Sequence, residues 1–155
     1  MALALNPDIF KAYDVRGTYP DEIREDTAKA IGAAFVTYLK ATRIAVGRDM
    51  RLSSPSLAAA FIEGATSLGV DVVDYGMIPT DVLYYAVGRD RHDGGVEITA
   101  SHNPKQYNGL KFCLAGAKPV GEDTGLGEIR ALTEGPDPGP VSTPGRVERR
   151  DLLET

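Results

Sequence analysis

The chain is poor in the residues that carry most covalent and metal chemistry. Among 155 residues there is no tryptophan, one cysteine and two histidines. A lone thiol, Cys113, cannot close an internal disulfide and has no second thiolate with which to build a zinc site. Its setting in the apolar run LKFCLA (residues 110–115) reads as a buried structural thiol. A reducing cytoplasm fits that usage, so a cytoplasmic location is expected. No apolar stretch approaches the roughly 20 residues of a membrane helix. The opening MALALNPDIF has no basic segment ahead of a long apolar one, so no membrane association and no signal peptide is expected. A basic excess is also missing. The 17 Lys and Arg stand against 22 Asp and Glu, a net charge of −5. That argues against nucleic acid as partner, because such binding rests on neutralising many phosphates. It leaves room for one anionic small molecule, which needs only a few local cations. Neither a GxGxxG nor a GxxxxGKS phosphate loop occurs, and no internal repeat is visible.

What is present is ordinary globular material, 43% hydrophobic and 25% charged, long enough for one core. DTAKAIGAAFVTYLK (26–40) places apolar residues at helical spacing, and RIAVGRD (43–49) follows as a strand with a glycine stop. SSPSLAAAFIEGATSLG (53–69) reads as a second helix. Ser53 or Ser54 can cap it, Pro55 suits its first turn and Gly69 its end. VDVVDYG, GGVEITA and GLKFCLA read as strands, TDVLYYAVGRD as a helix that Thr80 could cap, and TGLGEIRAL as a weaker helix. Alternating strands and helices predict an α/β layered fold with a mixed, mostly parallel sheet of about four strands. The last two strands, separated by about ten residues, are candidates for an antiparallel pair. EGPDPGPVSTPG (134–145) holds seven Gly or Pro and reads as a boundary. We therefore expect one domain over residues 1–140, then a linker and the opening of a further domain over 141–155.

Three segments could carry chemistry. In TASHNP (99–104), Ser101 follows a strand end and precedes Pro104. An ordinary capped turn is one reading. Against it stand His102 beside the serine, and Lys105 and Lys111 nearby in an acidic chain. Loops beyond strand ends are also where open α/β sheets hold ligands. Adjacent Ser and His suit a catalytic triad poorly, and no GxSxG elbow is present. A phosphoserine, with roughly −1.5 to −2 charges, fits the local cations better. In FKAYDVRGTYP (10–20), Tyr13, Asp14 and Arg16 crowd before Gly17: a surface turn, or a cluster aimed at an anion through the arginine fork. In VGRDMRLSSP (46–55), Arg48, Asp49 and Arg51 lie between a strand and a helix N-terminus. They could bind an anion, but an Arg–Asp network that buttresses the neighbouring loop is the stronger reading. Elsewhere the bland readings stand. His92 is expected to be a solvated turn residue, Tyr84 and Tyr85 packing residues, and Lys118 a surface residue within possible reach of an anionic substrate.

Together YDVRG (13–17), GRDMRLSSP (47–55) and TASHNPKQYNGLK (99–111) resemble the N-terminal domain of the α-D-phosphohexomutase family, most like its phosphomannomutase/phosphoglucomutase branch. The resemblance runs over residues 8–155. It implies a three-layer α/β/α first domain of several. It also implies an enzyme that moves a phosphoryl group between O1 and O6 of mannose or glucose phosphates through a bisphosphorylated sugar. On the matching positions, Ser101 would carry the phosphoryl group and His102 and Asn103 would line its loop. Lys111 would sit beside the reacting oxygens, where it could help proton transfer. Tyr13 and Arg16 would reach the phosphosugar substrate. Mg²⁺ is implied as cofactor, bound by the phosphate on Ser101 and by aspartates of an Asp-Gly-Asp-Gly-Asp loop in the second domain. Hexose 1,6-bisphosphate is implied as activator. That aspartate loop is absent from this chain, so the partners include the remaining domains of a parent enzyme, and the fragment alone is expected to be inactive. Met50 departs from the glycine common among relatives. The alternatives are a stand-alone, non-catalytic sugar-phosphate-binding module, or the first domain of a phosphoglucosamine mutase. The latter ranks lower because KAYDVRG differs from its usual opening.

Overall fold

The computed structural model describes residues 7–11, 13–100, 103–121, 125–136 and 138–151. Strand β1 spans Val15–Thr18, followed by helix α1 (Glu25–Leu39), β2 (Arg43–Arg48), α2 (Ser54–Thr66), β3 (Asp71–Met77) and α3 (Thr80–Arg89). Then come β4 (Gly94–Ile98), β5 (Tyr107–Leu114), β6 (Lys118–Pro119), α4 (Leu126–Glu134) and β7 (Val147–Arg149). The strands form one seven-stranded sheet in the order β1-β5-β4-β2-β3-β7, with β6 on β5. β2 pairs in parallel with β3 and β4, and β3 with β7. β5 is antiparallel to β4 and to β1.

The four expected strands are the centre of this sheet, with the last two antiparallel, so the fold class is an α/β/α domain with a mixed sheet. The three additional strands are four, two and three residues long. Such runs are too short for alternation to register. β7 is exposed at all three of its positions, so nothing in its composition marks it as part of a sheet.

Helices α1, α2 and α4 cover one face and α3 the other. On the first face Val46, Val96, Ile98, Leu110 and Phe112 meet Ile31, Phe35 and Phe61. Phe35 and Phe112 have ring centroids 4.9 Å apart, within the range of favourable tilted aromatic pairs. α1 and α2 approach closely because each offers a glycine at the crossing. A Cβ on Gly32 would lie 2.3 Å from the Phe61 carbonyl oxygen, and one on Gly64 2.0 Å from that of Lys29. On the other face Ala45, Val73, Tyr75 and Cys113 pack on Leu83, Ala86 and Val87 of α3. Cys113 is fully buried there, and burial pushes its thiol up to about 12, the inert structural cysteine its neighbours predict.

Two capping expectations change. Neither Ser53 nor Ser54 makes a side-chain cap on α2; both hydroxyls turn to other partners, given below. Thr80 is the first residue of α3, and Pro79 holds the cap position with no side-chain cap bond. Pro55 does sit in the first turn of α2, and Gly69 adopts a φ of +84° just past its end.

Candidate active site

β4 is central in the sheet, and its C-terminal end delivers the chain to the loop that the sequence singled out. Ser101 and His102 lie outside the described residues. The described residues on either side of them are held by hydrogen bonds. Asn103 bonds back to the Ala100 carbonyl through its backbone N–H (3.1 Å) and its Nδ2 (2.9 Å). Thr99 donates its N–H to the Gly109 carbonyl and Tyr19 to that of Gln106. The loop is therefore closed at its base by β4, β5 and the chain after β1.

Arg51 does most of the holding. Its Nη2 donates to the Asn103 carbonyl at 2.8 Å, and its Nη1 to those of Pro104 (2.8 Å) and Tyr107 (3.1 Å). Its Nε pairs with Asp49 Oδ2 at 3.0 Å, with the arginine side chain only 12% exposed. Asp49 is fixed in turn by the Ser54 hydroxyl (2.6 Å) and the Arg51 N–H (3.0 Å) on Oδ1. Asn108 Nδ2 donates to the Ser53 and Ser54 hydroxyl oxygens at 2.7 and 3.0 Å. The buttressing reading of the Arg48–Asp49–Arg51 segment is thus the one the geometry supports. The two serines link loop to helix and do not cap it. Asn108, buried and bonded to both of them, escaped sequence reasoning because an Asn before a Gly looks like a turn residue.

The expected cations share one sheet face. Val15 and Leu110 face each other in the core, so Arg16 on β1 and Lys111 on β5 both point to the opposite side. Arg16 lies across from Gly109, and a Cβ there would come 2.1 Å from the Val15 carbonyl oxygen and 2.9 Å from Arg16 Cγ. A bare α-carbon is what lets β1 close on β5 and Arg16 cross over it. The Arg16 Nε pairs with Asp14 at 3.1 Å, leaving its side chain 37% exposed. Among the described residues, the Lys111 side chain makes no hydrogen bond or ion pair. Asn103 is half-buried at the end of the serine loop, and Tyr13 is exposed ahead of β1. Beside the loop opens a cleft of about 720 Å³ whose lining includes Tyr19, Asp49, Arg51, Ser53, Asn103 and Lys105. A separate groove of about 410 Å³ between α1 and the chain after α4 is lined largely by small side chains and is remote from these cations.

Two buried ionisable residues were misjudged or missed. His92 is not a solvated turn residue: it is 2% exposed, and its Nε2 lies 2.7 Å from the Tyr75 hydroxyl. That hydroxyl donates its single proton to Asp90 Oδ2 at 2.6 Å, so His92 must be the donor to Tyr75, and its Nδ1 is left bare. Burial, then the Arg43 charge, hold His92 neutral down to about 4. Arg89 and Arg150 also bond Asp90, holding its carboxyl far below the usual range. The second residue is Glu97 of β4, 1% exposed, with an Oε1 that meets no partner among the described residues. Burial pushes its carboxyl up to about 9; Asp49 and Asp81 add to the rise and Arg48 opposes it. Tyr84 packs as expected and gives its hydroxyl to the Phe112 carbonyl (3.4 Å), whereas Tyr85 is largely exposed beside Arg89.

Among the described residues no group of three or more His, Cys, Asp or Glu could hold a metal ion. Asp49, the carboxylate at the serine loop, is already engaged by Arg51 and Ser54. The described residues therefore do not by themselves make a magnesium site. No helix among them is long and apolar enough to cross a membrane.

A model of the phosphoglucomutase/phosphomannomutase α/β/α domain I matches residues 7–138. The chain belongs to this family. It is 44% identical over 147 residues to a phosphomannomutase of Salmonella montevideo, covering 95% of this chain and 32% of that protein. It is 44% identical over 143 residues to a phosphomannomutase of Klebsiella pneumoniae, covering 92% of this chain and 91% of that one. A crystal structure of a phosphoglucomutase/phosphomannomutase family protein from Burkholderia thailandensis superposes with a TM-score of 0.84 at 32% identity, over 97% of this chain and 34% of that one. The chain thus spans about a third of the length of the Salmonella relative and of the solved Burkholderia structure. The family match places the serine loop, the Arg51 buttress and the Arg16–Lys111 face inside the matched residues.

Proposed function

We propose that this chain is the phosphoserine-bearing first domain of a phosphohexomutase that interconverts hexose 1-phosphate and hexose 6-phosphate of mannose, glucose or both. Ser101 carries the phosphoryl group. When the sugar hydroxyl attacks phosphorus, the P–O bond to Ser101 breaks and the serine oxygen leaves as the bisphosphorylated sugar forms. The reverse attack by Ser101 on the other phosphate completes the exchange. Such transfer asks for positioning and charge neutralisation more than for covalent machinery. Arg51 supplies positioning, because its fork holds two carbonyls of the loop that carries Ser101 and one at the start of β5. Arg16 and Lys111 supply positive charge on the adjoining face, Tyr13 and Asn103 contact the sugar phosphate, and His102 steadies the loop. Lys111 also moves the proton that the serine oxygen gains or loses.

The observation that carries this reading is the Arg51 clamp at the C-terminal end of a central strand, in a chain of this family. Magnesium on the Ser101 phosphate would draw its carboxylates from outside the described residues, hexose 1,6-bisphosphate would restore the phosphorylated serine, and the chain beyond β7, a strand of this domain's own sheet, leads toward a further domain. The test is intact-mass spectrometry with site mapping after exposure to hexose 1,6-bisphosphate. A gain of one phosphate on Ser101 is expected, together with loss of mutase turnover on Ser101→Ala in a longer chain carrying the remaining domains. A longer chain that turns over normally without Ser101 overturns the proposal. Measurable glucose 1-phosphate turnover by residues 1–155 alone would overturn the expectation that this domain needs its neighbours.

A further inference from the structure

A buried carboxyl with an unpartnered oxygen is costly and calls for a reason. Glu97 is such a group, on β4 and four residues ahead of Ser101 in the sequence. Its Oε1 lies over Gly47 of β2, where a Cβ would come within 2.5 Å of it. The β4–β5 register sets Glu97 directly opposite Lys111, so the two side chains leave the same face side by side. Yet no ion pair joins them among the described residues. One step along the β1–β5 register, the other neighbour of Lys111 is Asp14, and Arg16 already engages it.

We propose that Glu97 is a positioning residue for Lys111: present as the neutral acid, it leaves the Lys111 ammonium without a counter-charge, and on ionising it draws that ammonium into an ion pair and away from the serine loop. The inference deepens the proposed function, since it rests on Lys111 as the cation that serves the phosphoryl group. The charged and titratable groups around Glu97 are Arg48 of β2 and Asp49 after it, Asp81 and Tyr84 of α3, and Lys111 of β5. Asp49 and Asp81 disfavour a third negative charge, and burial disfavours it more. A permanently ionised glutamate here would pair with Lys111 and compete with phosphate for it. A leucine would leave Lys111 equally unpaired at every pH. Only an acid with a displaced titration makes the availability of Lys111 depend on alkalinity.

The experiment is carbon-13 and nitrogen-15 NMR on the 155-residue chain, following the Glu97 carboxyl and the Lys111 ammonium signals from about pH 5 to 11. Glu97 should remain in its protonated position through neutrality and titrate within about one unit of pH 9. The Lys111 signal should step with the same midpoint, and Glu97→Gln should abolish that step. Lys111→Met, which keeps the stem and removes the charge, should move the Glu97 midpoint upward. A Glu97 that titrates with ordinary glutamates below about pH 6 overturns the proposal. So does a Lys111 signal blind to Glu97, or a Glu97 midpoint indifferent to Lys111→Met. Should Glu97→Gln not fold, the wild-type and Lys111→Met titrations still decide. No turnover is read, so failure here leaves the mutase reading standing, and an unphosphorylated Ser101 would sink that reading without touching this one.

Discussion

Two polar clusters border β4, and they spend their charges differently. Ahead of the strand, Asp90 takes Tyr75, Arg89 and Arg150, and Tyr75 takes His92. Arg43 also reaches the Asp90 carbonyl. This cluster closes on itself, and through Arg150 it ties the chain just beyond β7 to the α3–β4 connection. Beyond the strand, Arg51 is equally engaged, but its bonds fix the carbonyls of a loop. Around that loop Arg16 keeps only its Nε bonded and Lys111 is unpaired among the described residues. Both clusters hold arginines, aspartates and a buried titratable group, so residue inventory does not separate them. What separates them is whether any cation is left over. A set whose cations all bond within the fold builds structure; one that fixes a loop and leaves a cation unpaired beside it builds a site.

The largest effect should come from Arg51→Ala. It removes three loop bonds and leaves Asp49 partly buried without its cation, a loss of about 3 kcal/mol in the unfolding free energy of the domain by urea titration. Turnover in a longer chain should fall at least about 100-fold, since a displaced Ser101 loses its alignment. If turnover survives, the loop does not depend on its clamp and the contrast between the two clusters fails.

The pH dependence of stability separates the two buried groups. His92 has a depressed value, so its contribution is present above the ordinary 6.5 and is lost as pH falls toward about 4. Glu97 has a raised value, so its contribution is present below the ordinary 4.5 and is lost as pH rises through about 9. Each slope reaches at most about 1.4 kcal/mol per pH unit. Where the windows overlap they oppose each other, so wild-type urea midpoints should be nearly flat from about pH 4.5 to 6.5 and then decline toward about 9. His92→Gln, whose amide can stand in for the Nε2 donor, should remove the acid-side loss. Glu97→Gln should remove the alkaline decline. A wild-type stability that rises steadily from neutral pH to about 9 would contradict the burial of Glu97.

Tyr75→Phe comes next. It deletes the hydroxyl between Asp90 and His92, a loss of about 1–3 kcal/mol. Phosphorylation of Ser101 and turnover in a longer chain should be unchanged. Altered turnover at matched folded fraction would show that the cluster ahead of β4 is coupled to the one beyond it.

These contrasts were only partly legible in the residues. The helices and central strands announce themselves through period, and the Arg51 buttress through an Arg-Asp-Met-Arg run between a strand and a helix. The serine loop stands out as a polar break between two apolar runs. β1 and β7 are too short to show a pattern, and their pairing is decided by neighbours distant in sequence. His92 was misread because GRDRHDGG has turn composition, while its partner Tyr75 lies 17 positions earlier on β3. Glu97 was passed over because one charged residue in GGVEITA fits a half-solvated strand, and only the packing of α3 and Gly47 shows that both faces are covered. Tertiary burial, and no local feature, turns these two into unusual acids and bases.

Arg16→Gln should give the smallest change in stability and is the sharpest test of a cation left over. Its partner Asp14 is buried, but the arginine itself is more than a third exposed, so the pair is screened and its loss should cost less than about 1 kcal/mol. If the outer guanidinium nitrogens are reserved for a phosphate, the same variant in a longer chain should raise KM for the hexose phosphate about tenfold. The kcat should stay within a few-fold of wild type. An arginine that serves only to hold Asp14 predicts the reverse, a visible loss of stability with KM unmoved. Measuring both quantities on one variant therefore decides whether the face between β1 and β5 is a binding surface or a second closed cluster.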